Sequence, residues 1–227
     1  MKKMVFLISL TTLIGQVSMS QATDAKTSLS LQVSQAAAAN QKQTIQYVWN
    51  RTVQVFVNGE LKNTIVSAIS FDNTGKVKSQ EISSTPTSKM KPGLRGDIEK
   101  NKIAELKTYV DGAVQSSMKY IYMSEGQMVD YFNKATITQA GNTINVQGNG
   151  VYQTGDKLTL VLNQGSLAFV SRSFTTTYNG TDAVNGNLNY KTFANGLTTM
   201  DAGEIDLPAK NIKLMISNGN FAKVMTQ

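Results

Sequence analysis

Two kinds of side chain on which many enzymes rely are missing from this chain. Its 227 residues include no cysteine and no histidine. Without cysteine there is no disulfide framework, no thiolate nucleophile and no cysteine-built zinc site. Without histidine the chain lacks the most used general acid–base near pH 7 and the commonest metal ligand. Charged residues make up 16% of the chain and aromatic residues 7%. The composition therefore predicts a protein that is not an enzyme and has no cofactor.

Acidic residues are also scarce, with 15 Asp and Glu against 22 Lys and Arg and a formal charge of +7. None of them has the spacing of a metal site. The segment Asp72-Asn73-Thr74-Gly75 is too short for a calcium-binding loop and lacks its closing glutamate. The positive charge would suit nucleic acid, but the lysines are dispersed and the amino terminus predicts export. We expect neither a metal nor a nucleic acid.

No long hydrophobic run is present. The most apolar stretch, residues 4–15, is much shorter than the ~20 residues that a membrane-spanning helix needs. It follows the basic pair Lys2-Lys3, and small residues such as Ser20 and Ala22 come after it. This order is typical of a secretory signal peptide. We predict that residues 1–22 are a signal peptide that is removed on export.

Removal of residues 1–22 takes away two lysines and leaves a mature chain with a formal charge of +5. We place the mature N-terminus between Gln21 and Lys26 and expect no transmembrane segment after it. A cysteine-free exported domain suits a bacterial periplasm better than a eukaryotic secretory route, so a periplasmic location is predicted. Residues 23–227 contain three prolines and no linker, which predicts a single domain.

An alternation of residue types with a period of two begins at Tyr47 and predicts a strand. The strand leads to Asn58-Gly59, a strong hairpin signal because a type I′ turn needs positive φ at both central positions. The register across this turn has two possibilities. A two-residue turn pairs Val53 with Thr64, whereas one extra loop residue pairs Val53 with Ile65.

The rest of the chain divides into helices and strands by its spacing of apolar residues. The predicted elements are a helix over 27–46, strands over 61–71 and 76–83, a loop over 84–96, a long helix over 97–121 and, after Thr136, six to eight antiparallel strands. Ser124 and Gln127 have the spacing of a capping box, which predicts a short helix that ends near Asn133.

One later hairpin has a definite predicted register. A two-residue turn at Gln164-Gly165 would place Leu162 opposite Leu167 and Leu160 opposite Phe169. A sheet of so many strands twists and usually curls. The predicted fold class is therefore α+β, with a curved, largely antiparallel sheet that forms an open half-barrel and with helices packed on its concave face.

Three segments resemble a known family. They are Tyr47–Glu60, Gly93–Gly96 ahead of the long helix, and Ala209–Phe221. The chain resembles exported bacterial proteins with the lipoprotein-carrier fold, the half-barrel shared by LolA and LolB. The resemblance implies a hydrophobic cavity between sheet and helices, and a role in binding acyl chains or a lipidated partner. Carriers of that family have an arginine inside the barrel, a place that Arg51 or Arg172 would take if its strand turns it inward.

The candidate ligand-binding residues are the apolar positions that such a fold would bring together. They are Trp49, Val53, Val55, Ile65, Leu106 and Val110. The alternative interpretation is an ordinary core under the helices, since any half-buried strand shows this alternation. Trp49, the single tryptophan, is predicted to be buried against the long helix near Val110 and Val114. For an anionic head group or an anionic membrane surface, we predict contacts with the basic loop residues Lys89, Lys91 and Arg95.

Two functions from different classes remain open at this stage. The first is a periplasmic, non-catalytic binding or carrier module for a hydrophobic or acylated ligand. The second is a structural or interaction protein of the bacterial cell envelope, with a filled core and no small-molecule ligand. A cavity of ~300 Å³ or more, lined by apolar residues, would favour the carrier.

Overall fold

The computed structural model describes residues 12–72, 76–87 and 94–224, and for residues 12–23 and 94–100 it describes the backbone alone. The first elements are α1 (Thr12–Thr44), β1 (Tyr47–Val57), β2 (Glu60–Phe71), β3 (Val77–Pro86), α2 (Leu94–Ile121) and α3 (Glu125–Lys134). The remaining strands are β4 (Thr136–Ala140), β5 (Thr143–Asn149), β6 (Lys157–Asn163), β7 (Phe169–Tyr178), β8 (Asp182–Thr192), β9 (Thr198–Leu207) and β10 (Ile212–Lys223), with one 3₁₀ turn at Pro208–Lys210.

All ten described strands belong to one antiparallel sheet. Their order across the sheet is β3-β2-β1-β10-β9-β8-β7-β6-β5-β4. Neighbouring strands are therefore consecutive in the chain, except for β1 and β10, whose pairing joins the strands β1–β3 to the strands β4–β10. Strands β3 and β4 lie at the two edges and do not pair with each other, so the sheet is open. The predicted fold class, an α+β open half-barrel, is confirmed.

The first hairpin combines the two registers considered from the sequence. Asn58 and Gly59 both have positive φ, 54° and 79°, as a type I′ turn requires, and Val57 pairs directly with Glu60. A bulge then leaves Lys62 unpaired, because Phe56 faces Leu61 while Val55 faces Asn63. The extra residue lies in the strand and not in the turn. It brings Val53 opposite Ile65, so that both side chains lie on one face.

The predicted register of the β6–β7 hairpin is wrong. Leu162 pairs with Phe169, and Leu160 pairs with Arg172. The connection is longer than two residues because the Asn163 side chain accepts hydrogen bonds from the backbone N–H groups of Gly165 and Ser166, at 3.0 and 2.9 Å. The side-chain oxygen thus stabilises a wide turn. A bulge that leaves Val170 unpaired then places Arg172, and not Ser171, on the same face as the buried leucines of β6.

The helices differ from the predictions mainly at their ends. Helix α1 begins at Thr12, well before the predicted residue 27, and α2 begins at Leu94 inside the predicted loop. The predicted capping box of α3 is confirmed. Ser124 N–H donates to Gln127 Oε1 at 2.8 Å, and Gln127 N–H donates to Ser124 Oγ at 3.4 Å. These two bonds satisfy backbone donors that no helical carbonyl reaches.

The main core lies between the helices and the later strands. Leu158, Leu160 and Leu162 alternate along β6 and are at most 1% exposed, and Phe132 of α3 is fully buried. Close approach of helix and sheet depends on Gly148, since a Cβ there would lie 2.6 Å from a ring carbon of Tyr131. The Tyr131 hydroxyl also donates to the backbone oxygens of two strands, β5 and β6. Helix α3 is thereby fixed to the sheet.

The helices cover the sheet unevenly. Helix α2 packs against β7 and β8, α1 against α3 and β9, and α3 against β5. We call the region of β5–β9 with the three helices the covered half. Strands β1–β3 form the open wing, where β3 is exposed along its whole length and most residues of β1 and β2 are half-buried.

Candidate functional site

The concave face of β1 joins the covered half to the open wing. Trp49, Arg51, Val53, Val55 and Val57 alternate along this face. The facing residues of β10 change from polar to apolar in the same direction, from Asn218 through Ile216 and Leu214 to Ile212. The surface therefore has a polar and aromatic end near Trp49 and an apolar end near Val57.

Most of the residues predicted to bind a ligand are brought to the edge of the core. Val53, Val55, Leu106 and Val110 are half-buried and pack against the main core cluster. Ile65 lies opposite Val53 on the concave face and is also half-buried. Val53, Val55 and Ile65 form an apolar stripe on β1 and β2 that the protein itself covers only in part, whereas Leu106 and Val110 belong to α2, which packs on β7 and β8.

Trp49 is buried, with 8% of its surface exposed, but its neighbours differ from those predicted. Its ring packs between Phe71 and Phe221, at centroid distances of 5.8 and 5.5 Å, outside the cluster that contains Val110 and Val114. The prediction that it packs on the long helix near those two residues is wrong. Trp49 begins β1 and therefore lies ~20 Å along the strand from Val55, at about 3.3 Å per residue.

The aromatic neighbours of Trp49 form a continuous row. Phe71 contacts Trp49, Trp49 contacts Phe221, and Phe221 contacts Phe193 at 5.3 Å. We call these four residues the aromatic row. It comes from four parts of the chain and could not be read from any one segment. Extending the alternation of Ile212, Leu214 and Ile216 to Asn218 would have indicated where this face of β10 becomes polar.

Arg51 lies beside the aromatic row. Its Nε donates to Asn218 Oδ1 at 3.1 Å, and Trp49 Nε1 donates to the same oxygen at 3.2 Å. Asn218 is itself held by a bond from Nδ2 to the Met200 backbone oxygen at 2.8 Å. Burial lowers the pKa of Arg51 and the nearby Tyr122 opposes this change. Among the described residues, no carboxylate lies within 4 Å of this guanidinium.

Arg172 lies deeper and has different partners. Only 3% of its surface is exposed. Its Nη1 donates to the Tyr120 backbone oxygen at 2.9 Å and also to that of Ile121, and its Cζ lies 4.4 Å from the centroid of the Phe169 ring. The carbonyls at the end of α2 carry partial negative charge. The protein therefore supplies two carbonyl oxygens and a ring to this arginine, while its Nε has no partner among the described residues.

A buried polar network lies under α2. The Tyr120 hydroxyl donates to Asp156 Oδ2 at 2.6 Å, and the same carboxylate accepts backbone N–H groups from Val151, Tyr152 and Gln153. Burial by itself would raise the pKa of Asp156, but these hydrogen bonds outweigh it and the pKa is lowered. Burial, with the Asp156 bond, raises the pKa of Tyr120. The network fixes the loop before β6 and gives no proton donor or acceptor for chemistry near pH 7.

Two cavities are found among the described residues. One has a volume of about 260 Å³ and is lined by Thr136, Gln147, Gly148, Asn149, Lys157, Leu158 and Thr159. The other has a volume of about 220 Å³ and is lined by Gln127, Asp130, Tyr131, Lys134, Gly148, Asn149, Val151 and Tyr152. Both lie near the β4 edge, and the first is lined mostly by polar surface. None of the residues predicted to bind a ligand lines either of these two cavities.

The predicted head-group contacts fall largely outside the described residues. Lys89 and Lys91 lie between β3 and α2, outside the described ranges, and Arg95 is described only by its backbone in α2. Across the described part of the chain, no three acidic residues are grouped so that they could hold a metal ion. In the same part, none of the helices has both the length and the apolar character needed to cross a membrane.

The geometry defines an open α+β half-barrel with a partly uncovered apolar stripe. No protein-family model matches the chain, and no curated protein matches it. Among solved structures, a DUF1329 family protein from Desulfovibrio piger is similar, with 10% identity and a TM-score of 0.41 over 90% of this chain and 94% of that chain.

The names of two further solved structures contain either the family that the sequence resembles or the sorting of lipoproteins. A LolA superfamily protein from Nitrosomonas europaea has 11% identity and a TM-score of 0.33, over 80% of this chain and 86% of that chain. An outer membrane lipoprotein-sorting protein domain from Vibrio parahaemolyticus has 7% identity and a TM-score of 0.38, over 87% and 93%. The resemblance stated from the sequence is thus found again. At these identities and TM-scores the likeness concerns the fold alone.

Proposed function

We propose that this chain is an exported, non-catalytic protein that binds or carries a hydrophobic or acylated ligand. The observation that carries the proposal is the apolar stripe of Val53, Val55 and Ile65, whose members are only half-buried. Apolar surface that the protein leaves partly in water gains free energy when a ligand covers it, at ~25 cal/mol per Å². The stripe is the place where an acyl chain would gain the most free energy by covering apolar surface.

The proposal includes the fate of the amino terminus. Residues 1–22 act as a signal peptide, and the mature protein works in the periplasm. The reason is the basic start, short apolar run and small residues found in the sequence. N-terminal sequencing of the exported protein is expected to find a start between Gln21 and Lys26. A chain that retains Met1 after export would contradict it.

The binding test follows the fluorescence of Trp49 while n-alkanols or fatty acids of increasing length are added. Each methylene removed from water contributes about 0.8 kcal/mol, so affinity is expected to rise roughly fourfold per methylene until the stripe is covered. Calorimetry checks the binding independently of fluorescence. The matched variants are Val53→Thr on the concave face, which should weaken binding, and Val66→Thr on the opposite face of the same strand pair, which should not.

The second candidate, an envelope protein without a ligand, has its own support. The covered half is tightly filled, and the two cavities near β4 have volumes of only about 260 and 220 Å³. In that case the stripe is simply the margin of the core. Absence of binding by any amphiphile at ~100 μM, which corresponds to about −5.5 kcal/mol, would favour this second function.

A further inference from the structure

We infer that Arg51 binds the acidic head group of the ligand, a carboxylate or phosphate at the end of an acyl chain that runs along β1 toward Val57. The inference rests on the proposed function and adds the charge and the direction of the ligand. It also differs from the sequence prediction, which assigned the head group to Lys89, Lys91 and Arg95.

The hydrogen bonds of Arg51 leave most of its donors free. A guanidinium has five N–H donors and no acceptor. Only the Nε donor of Arg51 has a partner, Asn218 Oδ1, among the described residues. Its surface is half-buried, so water reaches the terminal nitrogens only in part. A positive charge in such a place is stabilised by an anion that accepts two parallel N–H bonds, as carboxylates and phosphates do.

The two arginines of the concave face have different roles for this reason. Arg172 has carbonyl oxygens at the end of α2 and the Phe169 ring as partners. Arg51 has one amide oxygen and no carboxylate within 4 Å in the described part of the chain. The protein gives the first charge two carbonyl oxygens and an aromatic ring, and only 3% of its surface is exposed. It leaves the second one available for a ligand.

Arg51 is also held in position before any ligand arrives. Asn218 accepts from both Arg51 and Trp49 and is fixed in turn by the Met200 backbone oxygen. Trp49 is wedged between Phe71 and Phe221. Because the side chain is already ordered, binding an anion costs little further conformational entropy.

The position of Arg51 relative to the apolar stripe sets the direction of the ligand. Val53, Val55 and Val57 follow Arg51 on the same face, and the distance along β1 from Arg51 to Val57 is ~20 Å at 3.3 Å per residue. A head group at Arg51 would place the chain on half-buried aliphatic residues in one direction only. In the other direction lie Trp49, which is already buried between Phe71 and Phe221, and the end of the strand.

The experiment measures dissociation constants by Trp49 fluorescence and calorimetry below the micelle concentration of each probe. The probes are dodecanoate, dodecyl phosphate, the neutral dodecanol, and inorganic phosphate alone. The variant is Arg51→Gln, and the matched control is Lys213→Gln, which removes the same charge from the opposite face of β10. The expected result is a loss of about tenfold or more for dodecanoate and dodecyl phosphate in Arg51→Gln, since hydrogen bonds to charged groups contribute ~1.5–3 kcal/mol. Dodecanol should change less than about twofold.

A second variant covers the case in which Arg51→Gln does not fold. Asn218→Asp keeps the oxygen that accepts from Arg51 and Trp49, gives up the bond from Nδ2 to the Met200 backbone oxygen, and places a carboxylate where the ligand's charge would act. It is expected to weaken dodecanoate and dodecyl phosphate while leaving dodecanol unchanged.

The outcomes separate the inference from the proposed function. If dodecanol and dodecanoate both bind and Arg51→Gln and Asn218→Asp affect them equally, the head-group site is wrong and the carrier function stands. If inorganic phosphate alone binds as tightly as dodecyl phosphate and depends on Arg51, the site takes free anions and the inference is overturned. If none of the amphiphiles binds the wild-type protein, the proposed function fails together with the inference.

Discussion

The covered half and the open wing are parts of one sheet, yet they bury their apolar residues to different extents. In the covered half, Leu160, Leu162 and Val146 have no exposed surface. In the open wing, Val53 and Ile65 have the same residue types and the same alternation but are only half-buried. The difference comes from the helices, since α2 and α3 pack mainly on β5, β7 and β8.

This difference shows why strand alternation alone does not separate a core from a binding surface. Both regions have the period of two that a half-buried strand requires. The two regions differ only in whether helices pack over their strands, and this depends on where the helices cross the sheet. Half-buried residues beside a filled core are where a ligand can still gain contacts, which is why we assign binding to the open wing.

The largest expected effect is on the free energy of unfolding, and it is tested by replacing one isoleucine in each region. Ile144 on β5 is 3% exposed, and its replacement by alanine should lower the free energy of unfolding by about 3–4 kcal/mol, through lost transfer energy and a cavity. Ile65→Ala in the open wing should cost only about 1 kcal/mol, because water already reaches the side chain. Urea denaturation of both variants measures the contrast. Equal losses would show that the wing is packed as tightly as the covered half.

The buried carboxylate of the covered half gives the next effect. Asp156→Asn disturbs the bonds from Tyr120 and three backbone N–H groups and should cost about 2 kcal/mol. Because the folded-state pKa of Asp156 is lowered, its stabilisation is complete above the unfolded-state value of about 3.9. It is lost as the pH falls through the lower folded-state value.

The measurement for Asp156 is thermal or urea unfolding of both proteins between pH 7 and pH 2. The wild-type protein should lose stability more steeply than Asp156→Asn as the acid end is approached. Parallel curves would mean that this carboxylate has the same pKa in the folded and unfolded chains.

The smallest expected effect concerns the attachment of α1. The Asn40 side chain donates to the Thr198 backbone oxygen and accepts from the Thr198 N–H, both at 2.7 Å. Asn40→Ala should cost about 1 kcal/mol, since these groups regain only part of their bonding from water. Gln43→Ala is the matched control, because its bond to the Asn195 oxygen is exposed and longer, at 3.2 Å. A cost no greater than that of the control would show that the Asn40 bonds do not hold the helix.

The sequence was sufficient for the element types and for the local signals that act over a few residues. The Asn58-Gly59 turn, the capping box at Ser124 and the long helix all depend on neighbours in the chain, and all are found. The register of β6–β7 was missed because the Asn163 side chain stabilises a longer loop. Nothing in the alternation of the two strands indicates that bond.

The candidate site was predictable only in its strand residues. Val53, Val55 and Ile65 follow from alternation, and their shared face follows once the register is known. The partners of Trp49 and Arg51 cannot be predicted from alternation, because Asn218 and Phe221 come from the last strand and Phe193 precedes β9. A position for β10 between β1 and β9 cannot be deduced from residue patterns. The choice between Arg51 and Arg172 as the free charge depends on the end of α2, which is equally remote in sequence.

The pairing of the first strand, β1, with the last strand, β10, has a consequence for how the chain folds. Strands β1–β3 are made early, but they join the rest of the sheet through β10, as in the pair Val57 and Ile212. Such distant pairing carries a loop-closure cost before any contact is gained, and folds with many distant contacts form slowly. The first hairpins must therefore wait, with their apolar face uncovered, until the carboxyl-terminal strand is available to dock.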